Sequence, residues 1–103
     1  MEEQNVVTTL AALAQPMRLR VFRALAAAGP GGVTPGALSA SLAVPASTLS
    51  FHLKALAQAE LVSPQRDGRH LIYRAHYAHM ANVLAYLTEH CCQGLPCPSS
   101  RAS

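Results

Sequence analysis

Apolar side chains recur at Val6, Val7, Leu10, Leu13 and Ala14, three and four positions apart, which predicts a first helix from about Asn5 to Gln15. Pro16 sits where a second helix can begin without losing a hydrogen bond, because the first N–H groups of a helix have no partner in any case. That helix carries Leu19, Val21, Phe22 and Leu25 through an alanine tract and is stopped by Gly29-Pro30-Gly31-Gly32. Thr34 before Pro35 reads as an N-cap followed by the first helical residue, and a short helix to about Leu42 buries Leu38 and Leu42. After the break at Ala43-Val44-Pro45, Leu49, Leu53 and Leu56 form the stripe of an amphipathic helix. Two short helices joined by so brief a turn make a helix-turn-helix unit.

Beyond Leu61 the period changes. Val62–Arg66 and Arg69–Arg74 flank Asp67-Gly68, a two-residue hairpin signal because both residue types tolerate positive φ. With that turn Val62 opposes Tyr73, Pro64 opposes Leu71, and Arg66 and Arg69 are neighbours at the tip. Pro64 requires its strand to lie at an edge. A last helix is expected from about Tyr77 to Cys92 on the stripe Met80, Val83, Leu84 and Leu87. The expected fold is mainly α with a small β-hairpin, a winged helix-turn-helix. It divides into a domain over 1–92 and a flexible C-terminal tail over 93–103 that carries one thiol.

A chain of 103 residues forms one domain with a modest core, so a shared homodimer interface is a reasonable expectation. The charge-free span from Ala24 to Leu53 is broken by glycines and prolines too often to cross a membrane. Met1-Glu2-Glu3 has the wrong charge for a secretory signal. A soluble, cytoplasmic protein is expected. Seven of the eight basic residues lie between Arg18 and Arg74, where only Glu60 and Asp67 oppose them. A basic middle suits a polyanion such as DNA. With the leucine stripe inward, Ser47, Ser50, Phe51 and Lys54 point away from the core, flanked by Thr48 and His52. Hydroxyls and imidazole bond phosphates or base edges, and an exposed Phe meets a thymine methyl. Lys54, Arg66 and Arg69 suit the phosphate backbone, setting affinity and its salt dependence. No nucleophile–base pair or phosphate-cradling glycine motif is legible, so an enzyme is not expected.

Pro16–Val21, Ser47–Leu56 and Arg66-Asp67-Gly68-Arg69 together resemble the ArsR/SmtB family of metal-responsive repressors, in order and across nearly the whole chain. The resemblance implies a homodimer paired through its first and last helices, bound to an imperfect inverted repeat of operator DNA and released by a metal ion. It also implies where to look for the ion. The best-known arsenic site of the family uses paired cysteines on the first helix of the helix-turn-helix unit, where this chain has Ser39 and Ser41. A zinc site uses an Asp, two His and a Glu or His on the last helix. His79 and His90 have the right gap, but Tyr77 and Gln93 replace the other ligands.

Cys91, Cys92 and Cys97 remain, clustered at the carboxyl end with no cysteine before them. An odd number of thiols without an export signal argues against a disulfide framework. Trivalent arsenic is soft and three-coordinate, so three thiolates satisfy it, whereas zinc wants a fourth ligand. The segment also resembles arsenic-responsive family members with a cysteine pair after the final helix. The expected effector is therefore arsenite, with antimonite as its congener and no organic cofactor. A zinc- or cadmium-responsive repressor, a thiol-redox switch, and a thiol metal carrier that uses the fold only to dimerise stand as alternatives.

Overall fold

The computed structural model describes residues 1–94. It has five α-helices and one hairpin: α1 (Glu3–Leu13), α2 (Pro16–Ala28), α3 (Pro35–Leu42), α4 (Ala46–Gln58), β1 (Val62–Asp67), β2 (His70–Ala75) and α5 (Tyr77–Thr88). The architecture is a winged helix-turn-helix. Local chemistry sets the starts of the central helices. The Gln15 side chain accepts from Arg18 N at 2.8 Å ahead of Pro16, and Thr34 Oγ1 accepts from Ala37 N at 3.2 Å ahead of Pro35. Both devices satisfy an N–H that the helix itself leaves unpaired.

Val21 and Leu25 of α2, Leu38 of α3 and Leu49, Leu53 and Leu56 of α4 are each at most 1% exposed and form the centre of the core. Leu61, Val62 and Ala75 close it from the hairpin side. Helices α3 and α4 meet through a left-handed residue, Ala43 (φ 54°). Val44 N donates to Ser39 O at 3.1 Å, and Ser39 Oγ donates to Val44 O. Ser39 thus ties the turn together.

The hairpin differs from the sequence expectation by two residues. Asp67 pairs with His70, Arg66 with Leu71, Pro64 with Tyr73 and Val62 with Ala75. The loop is Gly68-Arg69, with Gly68 at φ 63° and Arg69 outside the positive-φ set. A glycine at the first loop position is the requirement of a type II′ turn, which follows the right-handed twist of the strands as well as Asp-Gly in type I′ does. Arg66 and Arg69 therefore do not face each other across the tip. A shift of two keeps every side chain on its expected face.

Pro64 does lie on an edge strand. Val33 and Tyr73 exchange two backbone hydrogen bonds of 2.9 Å on the far side of β2, so Tyr73 has no N–H or C=O directed at Pro64. The proline costs no ladder bond. The same bridge ties the wing to the body, helped by Arg74 Nε donating to Pro30 O at 2.6 Å.

Gly32 stands beside that bridge at φ 74°, ψ −177°, a conformation open in practice only to glycine. A Cβ there would overlap Ile72 Cγ2 and lie 2.8 Å from Tyr73 O. Gly32→Ala is therefore expected to cost at least about 2 kcal/mol, from backbone strain plus overpacking. Urea unfolding followed by circular dichroism measures it. A variant as stable as the parent would mean that the wing base is not held as described.

Candidate nucleic-acid interface

Helix α4 buries Leu49, Leu53 and Leu56 and leaves Ser47, Thr48, Ser50, Phe51 and Lys54 exposed on one side. No side chain caps its first turn, where Pro45 precedes Ala46, so the electropositive amino end of the helix faces outward beside Ser47 and Thr48. Phe51 is 64% exposed, a large apolar ring held in solvent. The α4–β1 turn passes through Glu60 (φ 62°), to whose carbonyl His76 Nδ1 donates at 3.0 Å. The wing therefore follows directly from the end of α4, with Arg66 and Arg69 both exposed.

His52 departs from the expected pattern. It is 7% exposed and turned toward α2, where Arg18 Nε donates to its Nδ1 at 3.3 Å. It does not share the outward face with Ser50 and Lys54. Accepting at Nδ1 requires the neutral ring with its proton on Nε2. Burial, and then the Arg18 charge, pull the His52 pKa below its ordinary 6.5. The Arg18 guanidinium also lies 5.6 Å from the centre of the Phe51 ring, which meets the His52 ring edge-on. Arg18 is thus a third member of this surface, contributed by α2. Its position two residues after Pro16 gives no sign in the sequence of a contact with α4.

The depressed His52 pKa has a consequence for stability. As pH falls through about 6.5 the unfolded chain takes up a proton that the folded protein resists. The contribution of His52 is complete above that pH and is lost as pH drops through the lower folded value. Thermal melts between pH 8 and 5 are expected to show stability declining on the acid side, with a shallower decline in His52→Gln. Equal slopes in the two proteins would remove His52 as the source.

The carboxyl end also departs from expectation. Helix α5 stops at Thr88, not at the cysteine pair. Thr88 Oγ1 donates back to Leu84 O at 2.9 Å, and the chain leaves through an extended Glu89 and a left-handed His90 (φ 62°). Cys91–Gly94 form a short turn in which Cys92 and Gln93 are also left-handed. Cys92 is half-buried. Cys97 lies outside the described residues, as does the rest of the tail from 95 to 103. Among the described residues no group of three or more His, Cys, Asp or Glu is arranged to hold a metal ion. His79 has another task. Thr9, 1% exposed, donates its one proton to Asn5 O at 2.9 Å, so the 2.9 Å contact with His79 Nε2 is a bond donated by the imidazole. That nitrogen has no lone pair to offer zinc.

Helices α1 and α5 carry more apolar surface than the chain covers. Val6, Thr9 and Ala12 of α1 are buried, while Val7 and Leu10 on another side are 49% and 41% exposed. On α5, Val83 is buried, but Leu84 and Leu87 are 56% and 52% exposed. Among the described residues no helix is long and apolar enough to cross a membrane.

Comparison with known proteins places this arrangement. Residues 13–65 match a helix-turn-helix domain family. Among solved structures, the chain is similar to an ArsR-like transcriptional regulator from Rhodococcus sp. RHA1, with 26% identity and a TM-score of 0.75 over 82% of this chain and 76% of that one. It is 33% identical to a possible transcriptional regulator for arsenical resistance, with a TM-score of 0.66 over 77% and 79% of the two chains. The homodimeric winged helix-turn-helix DNA-binding domain of a possible ArsR-family regulator from Mycobacterium bovis shares the fold at 24% identity and a TM-score of 0.64, over 85% and 86%. No curated protein matches the chain. With a family match over half its length, and identity above 30% to a regulator most of whose length it spans, the chain belongs to the ArsR family of helix-turn-helix transcriptional regulators.

Proposed function

We propose that this protein is a cytoplasmic, homodimeric repressor that binds operator DNA through α4 and the wing and releases it on binding trivalent arsenic. The observation that carries the DNA reading is the polarity of α4. Its leucines are buried, and hydroxyls, Phe51 and Lys54 project together beside a capless helix end. A helix of this kind enters a major groove, and a two-fold pair of them reads half-sites about one helical turn apart. The apolar surface left on α1 and α5 suits burial against a second copy. The homodimeric relative from Mycobacterium bovis supports the same assembly.

The arsenic reading rests on the donor set and on its position. Cys91 and Cys92 follow directly on the residues that end α5, and Cys97 is the third thiol of the cluster. Soft thiolates fit a soft, three-coordinate ion. The structural relative described as a possible regulator for arsenical resistance supports the effector class. An ion held there pulls on the end of the helix that carries Leu84 and Leu87. Any shift of that helix changes how two copies pair, and hence the spacing of their α4 helices. The coupling is reciprocal, so DNA weakens the hold on the ion by the factor with which the ion weakens the hold on DNA.

A fluorescently labelled fragment of the protein's own promoter, titrated at several salt concentrations with and without arsenite, antimonite, zinc and cadmium, tests both parts. The expected result is sequence-selective binding that arsenite and antimonite reverse. Lys54→Gln, Arg66→Gln and Arg69→Gln each take one cation away from the phosphate backbone. The dimer thereby loses two cations, so each is expected to lower the slope of log K against log salt by about 2. Binding without sequence preference would point instead to a thiol metal carrier. Release by zinc and cadmium alone would move the effector to a different ion class.

A further inference from the structure

An open groove of about 600 Å³ runs between α1 and α4. Ala11 and Ala12 of α1, Ala55 of α4 and Ala59 just beyond its end line it, so methyl groups stand where longer side chains would fill the space. Phe51, Lys54 and Arg18 line the same groove. Among the described residues none that lines it is acidic. The contacts of the Arg18 guanidinium among the described residues are a neutral imidazole and an aromatic ring, neither of which balances its charge.

We propose that this groove binds a small organic carboxylate. The carboxylate is received by Arg18 and Lys54, and its aromatic or aliphatic body lies against Phe51 and the alanine floor. The volume falls within the range of small-molecule sites, and an apolar floor with a few convergent polar groups is their usual composition. A phosphodiester is a poorer occupant, since the alanine methyl groups give its ester oxygens no partner and only Thr8 and Gln58 add uncharged polar groups to the lining. A second copy of the chain is also a poorer one. Val7 and Leu10, the exposed apolar residues of α1, do not line the groove. Binding to the free protein does not depend on the DNA function proposed above. If that function holds, ligand and duplex compete for Phe51 and Lys54.

The full-length protein, isotopically labelled and free of DNA, is titrated with sodium benzoate while amide and methyl resonances are followed by NMR. Benzyl alcohol and benzylammonium serve as neutral and cationic controls. The expected result is saturable shifts at Ala11, Phe51 and Ala55, with benzoate bound about tenfold tighter than benzyl alcohol, as a charge-assisted contact requires. Lys54→Gln, a change at an exposed position, is expected to remove most of that preference. Ala55→Leu, which fills the floor, is expected to abolish the shifts. Three results would overturn the proposal. They are shifts that do not saturate, equal binding of the three probes, and groove resonances that respond to protein concentration instead of benzoate, which would mean that a second copy covers the groove.

Discussion

Serine in place of Cys92, or of Cys91, is expected to leave operator affinity within about twofold of the parent while removing its release by arsenite. Allosteric couplings of this kind are usually 1–3 kcal/mol, so the parent should lose about 5- to 150-fold in affinity when the ion binds and the variants almost nothing. The substitution is a clean one for a physical reason. Cys92 has φ 54°, a left-handed conformation that disfavours any residue with a Cβ, and serine meets the same backbone cost as cysteine. What changes is the donor, since a hydroxyl is a hard, protonated ligand where a thiolate is a soft, charged one. Anisotropy of a labelled operator fragment, with and without arsenite, reads both quantities. If the variants let go of DNA at the arsenite concentration that releases the parent, the ion is held elsewhere. If arsenite releases neither parent nor variants but an oxidant releases the parent, the thiols act by redox chemistry.

The three cysteines are plain in the sequence, but the point where the helix before them ends is not. Nothing between Tyr77 and Gln93 is a helix breaker, so the apolar period carries a sequence reading of α5 through to the cysteines. The helix ends earlier, with Thr88 bonding its hydroxyl back to the Leu84 carbonyl, Glu89 extended and His90 left-handed. Side-chain competition of that sort is visible in a sequence only as a residue type. The hairpin shows a different limit. Asp67-Gly68 and Gly68-Arg69 are both acceptable two-residue loops, and they differ by a shift of two that leaves the inward and outward faces unchanged. Hydrophobic alternation cannot separate them. The anchoring bridge joins Val33 to Tyr73, residues far apart in the chain and beyond any local pattern.

The burial of His52 is half legible. It stands three residues after Leu49 and four before Leu56, on the edge of the buried stripe, and that spacing alone turns it inward. The partner that makes its burial tolerable, Arg18, comes from another helix and has no local signal. Thr9 is a similar case on α1. It lies between Val6 and Ala12 on the buried side and satisfies its hydroxyl on the Asn5 carbonyl, which lets a polar residue occupy an apolar stripe. By contrast, the N-caps at Gln15 and Thr34 and the proline starts that follow them involve only neighbouring residues. Helix starts of that kind are written locally in the chain.

Glutamate at both Leu84 and Leu87 is expected to give a folded monomer that binds operator DNA at least about a hundredfold more weakly, since only one half-site is then engaged at a time. Both leucines are more than half exposed in the single chain, so the charges are not forced into its own core. Val83, the neighbouring residue that does pack inside, is left in place. In a dimer the same positions meet apolar surface of the partner, and burying unpaired carboxylates there costs several kcal/mol, more than enough to dissociate a small interface. Sedimentation equilibrium gives the oligomeric state, and far-ultraviolet circular dichroism reports whether the fold survives. A dimer that persists in the double variant would move the interface away from α5. A folded monomer with undiminished operator affinity would separate dimerisation from DNA reading, and with it the proposed route by which an ion at the end of α5 changes the grip of α4.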